Sequence, residues 1–339
     1  MLHKSIRLMG AVSLALACSG AFDAAAAKLV LTKFEIDGAV DVYVWSENNS
    51  DAVTGYYTDG NKAKHGYVRA PDGTITTFDP PGSVSTYPMN INDSGAITGN
   101  YTDNTGAQHG FLRAADGTIT EFDPNNSVHG TNPYSVNGKD AVIGYYNDVN
   151  YTPRGFIRKP GGKIKEVVVP NTYTAFPFVF GPHGSIAGSA YDLDQNEVGF
   201  VEDRDGNATL FMGPNAAQTI VTGINDKGYI SGSYVDNPAP HAFNGFVRAP
   251  DGTISTFKGP QAVWTIAYNI NNAGRVAGYY TLADNTARAY LRQPDGKLKT
   301  LFFDGAATTV ATAINNNGAI GGYWFDTSNR SHGCLWLQQ

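Results

Sequence analysis

The sequence predicts an all-β protein: a seven-bladed β-propeller with four strands per blade, the last blade closed by the N-terminal strand. Three observations carry this. A marker glycine recurs at Gly55, Gly99, Gly144, Gly188, Gly232, Gly278 and Gly322, at intervals of 44, 45, 44, 44, 46 and 44 residues. A period near 45 residues made only of short strands is the mark of propeller blades. Most copies share two turns, one on Asn-x-x-Gly and one on Asp-Gly. The chain ends are also complementary: the last copy stops after its third strand, and the N-terminus opens on a strand that belongs to no copy.

The clearest copy covers residues 91–123 with the strand before it. Strand a is Thr86 to Ile91, strand b Ala96 to Thr102, strand c His109 to Ala114 and strand d Thr118 to Phe122. Between a and b stand Asn92-Asp93-Ser94-Gly95 and, in other copies, Asn225-Asp226-Lys227-Gly228 and Asn315-Asn316-Asn317-Gly318. Asn and Asp close such turns through their side chains, and the glycine takes a positive φ. Between c and d stand Asp72-Gly73, Asp116-Gly117, Asp251-Gly252 and Asp295-Gly296, which suggest type I′ hairpins.

Strand a alternates between small and large residues. Thr86, Pro88 and Asn90, or Thr219, Val221 and Gly223, make a small face. Tyr87, Met89 and Ile91, or Ile266, Tyr268 and Ile270, make a bulky one. The expectation is that the small face lines a narrow central channel and the bulky face packs between blades. The orphan strand, Lys28 to Ile36, ends in Phe34-Glu35, 44 residues before Phe78-Asp79 at the end of a strand d. It is therefore expected to complete the seventh blade and remove a free edge.

Composition limits the rest. The 339 residues, 42% hydrophobic, suffice for a large core, and an unbroken repeat makes residues 28–339 one domain. Charged residues are 16%, the net charge is −6, and no basic cluster stands outside the N-terminus. Electrostatic binding to nucleic acid or anionic membranes is excluded on that basis. Residues 1–27 read as a secretory signal: Lys4 and Arg7, an apolar run from Leu8 to Ala17, then Ala25-Ala26-Ala27. That run is too short to be a membrane span. Leu16-Ala17-Cys18 partly matches a lipoprotein cleavage site, which would anchor Cys18 by lipid. The protein is otherwise expected to be secreted or periplasmic, and a monomer. Removal of residues 1–27 leaves Cys334 without a disulfide partner.

Strand c begins His65-Gly66-Tyr67-Val68-Arg69, His109-Gly110-Phe111-Leu112-Arg113 and His332-Gly333-Cys334-Leu335-Trp336. With the Ile-Asn-x-x-Gly turn, this resembles the bacterial extracellular repeats known as the HAF family, over essentially all of residues 28–339. The resemblance implies a secreted or surface protein and no particular reaction. The fourth copy departs from it with Val198-Gly199-Phe200-Val201-Glu202, and the sixth with Arg288-Ala289-Tyr290-Leu291-Arg292.

Chemistry is sparse. His65, His109 and His332 hold equivalent places in different copies, so they cannot converge on one metal. Arg69, Arg113, Arg158, Arg248 and Arg292, with aspartates at the ends of the b strands, suggest structural ion pairs or turn bonds within each blade. No cofactor is expected. Asp192-Leu193-Asp194-Gln195-Asn196 offers calcium-like oxygen ligands, without the closing glutamate of an EF-hand. The connections from d to a depart most from the repeat, and ligand-contact candidates there are His129, Tyr173 and Trp264. Asp41 is the one acid expected near the channel. No catalytic constellation appears. The leading reading is a secreted module that binds a glycan, a peptide or a partner protein. The alternatives are a secreted polysaccharide lyase or hydrolase acting in the upper loops, and a structural cell-surface module.

Overall fold

The computed structural model describes residues 29–237 and 242–338; the expected signal segment and Cys18 lie outside the described residues. Apart from one 3-10 turn at Pro182–Gly184, the regular elements among the described residues are all strands. The second copy folds as strand a Ser83–Ile91, b Ile97–Asp103, c Gln108–Arg113 and d Ile119–Phe122. Each neighbouring pair is antiparallel. The strands form five hydrogen-bonded sheets, three of four strands and two of eight. The larger sheets are two meanders joined by one parallel bridge, Lys64 to Ser85 or Glu197 to Gln218. Strand Leu29–Phe34 pairs antiparallel with Ser331–Gln338 over its whole length. Both ends of the described chain therefore share one sheet.

The a–b turn explains its asparagine. Asn92 Oδ1 accepts from the amides of Ser94 (3.1 Å) and Ala96 (2.8 Å), closing its own turn. Its Nδ2 donates to the carbonyl of Asn137 in the next copy, at 2.8 Å. Asn48, Asn225, Asn271 and Asn315 make the same step to the carbonyls of Asn92, Asn271, Asn315 and Asn48, each at 3.0 Å. Asparagine suits this place because it both accepts and donates; aspartate supplies only the first half. The fourth copy has Gly181 here and bends through Pro182–Gly184 instead.

The c–d turn differs from the expectation. Of Asp116 and Gly117, only Gly117 has a positive φ, at 95°. The Ala114 amide bonds the Thr118 carbonyl and the Gly117 amide bonds the Ala114 carbonyl. This is the three-residue hairpin with a bulged glycine, not a type I′ turn. Asp116 contributes by accepting from the Thr118 amide at 2.9 Å.

The alternation of strand a is the reverse of that expected. Thr86, Thr219 and Thr309 are fully buried, whereas Tyr87 and Met89 are only half-buried. A Cβ placed on Gly66, in strand c of the preceding copy, would lie 3.0 Å from Pro88 Cγ. The small face therefore packs against the neighbouring copy, and the large residues turn toward the axis. Close stacking of the sheets demands small side chains, and the space they leave free is where rings fit.

The repeated arginines bear out one half of the expectation and depart from the other. Arg69, Arg113, Arg158, Arg248 and Arg292 lie over the rings of Phe34, Phe78, Phe122, Phe211 and Phe257, at 4.8–5.2 Å. These are cation–π contacts between adjacent copies rather than ion pairs; the expected turn bonds are present, with Nη1 of Arg69, Arg113, Arg248 and Arg292 donating to the carbonyl of the next residue at 3.2–3.3 Å.

Candidate functional site

The feature that converges at the centre is aromatic. The residue after the marker glycine is tyrosine in four copies: Tyr56, Tyr145, Tyr279 and Tyr323. It lies opposite strand a, as Tyr43 pairs with Tyr56. The two rings are 4.9 Å apart. Tyr56 also meets Tyr87 of the next copy at 5.2 Å, and Tyr43 meets Tyr323 of the last copy at 5.1 Å. Tyr268 and Tyr279 pack together at 5.9 Å. They lie close enough to Tyr323 that burial and the nearby Tyr268, Tyr279, Tyr43 and Tyr56 all push its phenol pKa up. A second group joins Tyr134, Tyr145, Phe176 and Phe178.

These rings are half-buried, open to water on one side. Burial, Tyr43, Tyr87 and Asp41 raise the phenol of Tyr56 in the same way. The phenols of Tyr56, Tyr268, Tyr279 and Tyr323, all raised chiefly by burial, thus stay protonated across the physiological range, as neutral groups that both donate and accept. Flat apolar faces edged by hydroxyls suit a ligand that is itself part apolar and part hydroxylated. The small-channel expectation hid this arc. The available signal was the tyrosine beside the marker glycine.

The candidate residues on the connections lie elsewhere. His129 stacks on Tyr151, centroids 3.5 Å apart and 8° from parallel. A d–a connection and a b–c loop therefore share one face of the molecule. Tyr173 is 67% exposed and Trp264 48%, the latter edge-on to Phe243 at 6.2 Å. His129 and Tyr173 occupy the same position in their copies, two residues before the buried Thr131 and Ala175, and Trp264 stands one residue before the buried Thr265. No ring contact joins the three among the described residues. Asp41 Oδ1 accepts from the Ser331 amide (2.9 Å) and hydroxyl (3.2 Å), tying the first copy to the last.

The histidines are clamped between carboxylates. His109 Nδ1 lies 2.7 Å from Asp123 and its Nε2 3.4 Å from Asp103. His65 sits likewise between Asp79 at 2.7 Å and Asp59 at 3.7 Å, and His332 between Glu35 and Asp326. The b-strand aspartates thus serve the histidines, as Asp148 serves Arg154 at 3.1 Å. Asp192 accepts from the amides of Asp194 and Asn196 and from the Asn196 side chain, closing its own loop. Cys334 is fully buried, and burial pushes its thiol pKa up, which leaves it unreactive.

No protein-family model matches the chain. No curated protein matches it either. Solved structures do. The chain is similar to virginiamycin B lyase from Staphylococcus aureus, with 17% identity, a TM-score of 0.58, and 91% of this chain and 99% of that one covered. It is similar to the β-propeller domain of the Trilobed protease from Pyrococcus furiosus, with 9% identity, a TM-score of 0.57, and 87% and 95% covered. It is also similar to the BP39L lectin from Burkholderia pseudomallei, with 9% identity, a TM-score of 0.52, and 92% and 99% covered. At these identities the likeness shows the fold alone, and the fold is a β-propeller.

Proposed function

We propose that this chain is a secreted binding module whose ligand is a glycan, held against the aromatic inner wall. The observation that carries the reading is the run of half-buried rings from Tyr268 and Tyr279 through Tyr323 to Tyr43, Tyr56 and Tyr87. Sugar rings present C–H faces that stack on aromatic rings and hydroxyls that pair with phenols. The module is a HAF-type propeller of seven four-stranded blades. Leu29–Phe34 closes the ring, a reading supported by its pairing with Ser331–Gln338 and by the bond from Asn315 to the Asn48 carbonyl. It leaves the cytoplasm through residues 1–27, cleaved after Ala27. His129, Tyr173 and Trp264 form an outer rim on the face shared by the d–a and b–c connections.

The test is a screen of the mature protein against glycans and polysaccharides, scoring both binding and product formation. The expected result is binding without turnover. Tyr56→Ala and Tyr323→Ala should then weaken binding by about 1 kcal/mol or more each, with Trp264→Ala and Tyr173→Ala smaller. Turnover of a polysaccharide would make the protein a lyase or hydrolase. Binding that ignores both inner-wall substitutions would move the site to the rim.

A further inference from the structure

The third copy breaks the histidine clamp in two places. Arg154 stands where the second copy has His109, and Val168 where Asp123 closes the clamp. In the second copy both ring nitrogens of His109 are engaged. Arg154 is engaged at one end only. Its Nε donates to Asp148 Oδ2 at 3.1 Å, while Asp148 Oδ1 accepts from the amides of Asn150 and Thr152. Its Nη1 stands 3.9 Å from Glu166 Oε1, beyond hydrogen-bond reach. Among the described residues neither Nη group of Arg154 nor the Glu166 carboxylate makes a hydrogen bond. The arginine at this place in the sixth copy, Arg288, is fully employed. It donates to the carbonyls of Ala287 and Ala307 and lies over Phe302.

Arg154 pairs with Tyr146, and Glu166 with Phe156, so the two charged groups share one face of their sheet. That face is opposite the one that carries Tyr145 and the inner wall. Both groups line a cavity of about 450 Å³, a size suited to a small ligand. Val128, from the preceding d–a connection, and Val149, from the b–c loop, line it as well, and both are exposed. An anionic ligand would meet Glu166 there, and a cationic one Arg154. A hydroxyl group serves both, since it accepts from a guanidinium and donates to a carboxylate. The valines offer apolar surface to C–H groups. We propose that this cavity is a separate binding site for a single neutral sugar residue. Adjacent sugar hydroxyls accept from the Arg154 Nη groups and donate to Glu166. The site does not depend on the inner wall.

The mature protein is titrated by calorimetry at pH 7 with a panel of free neutral hexoses, pentoses and deoxyhexoses. At least one should bind. Arg154→Lys keeps the charge and removes the forked donors; Glu166→Gln keeps the shape and removes the charge. Each should weaken that binding about tenfold or more. Their side chains are 40% and 42% exposed, so both variants should keep the wild-type melting temperature. Glu121→Gln, the same change in the second copy, should leave binding unaltered. Absence of binding by every sugar overturns the proposal, as does an equal loss in Glu121→Gln. Binding lost in Tyr56→Ala but kept in both Arg154→Lys and Glu166→Gln would put the sugar on the inner wall. That result overturns this site and leaves the inner-wall reading standing.

Discussion

A Cβ on Gly99 would sit 2.1 Å from the Tyr87 carbonyl oxygen and 2.8 Å from the Pro88 Cα. Strand a shifts register there, between Pro88 and Asn90, and the bulge pushes its backbone against strand b. The same near-contact occurs at Gly55, where the added atom would be 1.9 Å from the Tyr43 carbonyl. The marker glycines are thus demanded by backbone approach. Gly99→Ala should cost about 3 kcal/mol, since neither strand can retreat without breaking its ladder. Urea unfolding decides it, and a loss below about 1 kcal/mol would mean the bulge relaxes easily. Asn92 makes the complementary point, since its one side chain closes a turn and reaches the next copy.

Between elements, strand c is held at its start by a histidine clamp, and the clamp should make stability depend on pH. Burial alone would lower the His109 pKa, but hydrogen bonds and charge from Asp123 and Asp103 outweigh it and raise it. Asp103 is lowered to about 2, mainly by the Thr105 hydroxyl, with the Ala107 and Thr105 amides and His109 adding to it. A raised histidine contributes fully below its unfolded pKa of about 6.5 and loses that contribution as pH rises through the folded value. A lowered aspartate contributes above its unfolded pKa of about 3.9 and loses it as pH falls toward 2. The window in which both act lies between roughly pH 4 and 6.5. His109→Ala should therefore lower Tm more at pH 5.5 than at pH 9. A deficit independent of pH would leave only the ring's packing on Tyr101, at 5.1 Å, as its role.

For the whole molecule, the decisive element is the first strand. Phe34 packs where a Cβ on Gly333 would meet its ring at 2.3 Å, and Arg69 covers it from the other side at 5.2 Å. Val42, Val44, Tyr67 and Leu335 share that core, which joins the first copy to the last. Deleting residues 28–36 should expose the edge of Ser331–Gln338, uncover this core and cost several kcal/mol. An unchanged melting temperature would refute the proposed closure. Glu47 and Asp41 stand at the same junction, Glu47 beside Gly321 and Asp41 bonded to Ser331.

What the sequence determined by itself was the repeat and its punctuation. Period, turn residues and strand alternation are local properties, and they placed the second copy's b, c and d strands within a residue or so of those observed. The orphan strand was legible because its Phe-Glu matched the end of strand d at the same interval. Tertiary structure decided which face of strand a turned inward. Alternation says that two faces differ, but only the spacing between stacked sheets says which must be small. The aromatic arc was therefore visible as tyrosines and unreadable as a site. The ring partners of the arginines were missed for a related reason. Their partners, Phe34, Phe78, Phe122, Phe211 and Phe257, belong to the preceding copy or the N-terminal strand. Which side chains meet across two sheets depends on how the sheets stack, and no spacing along one strand encodes that.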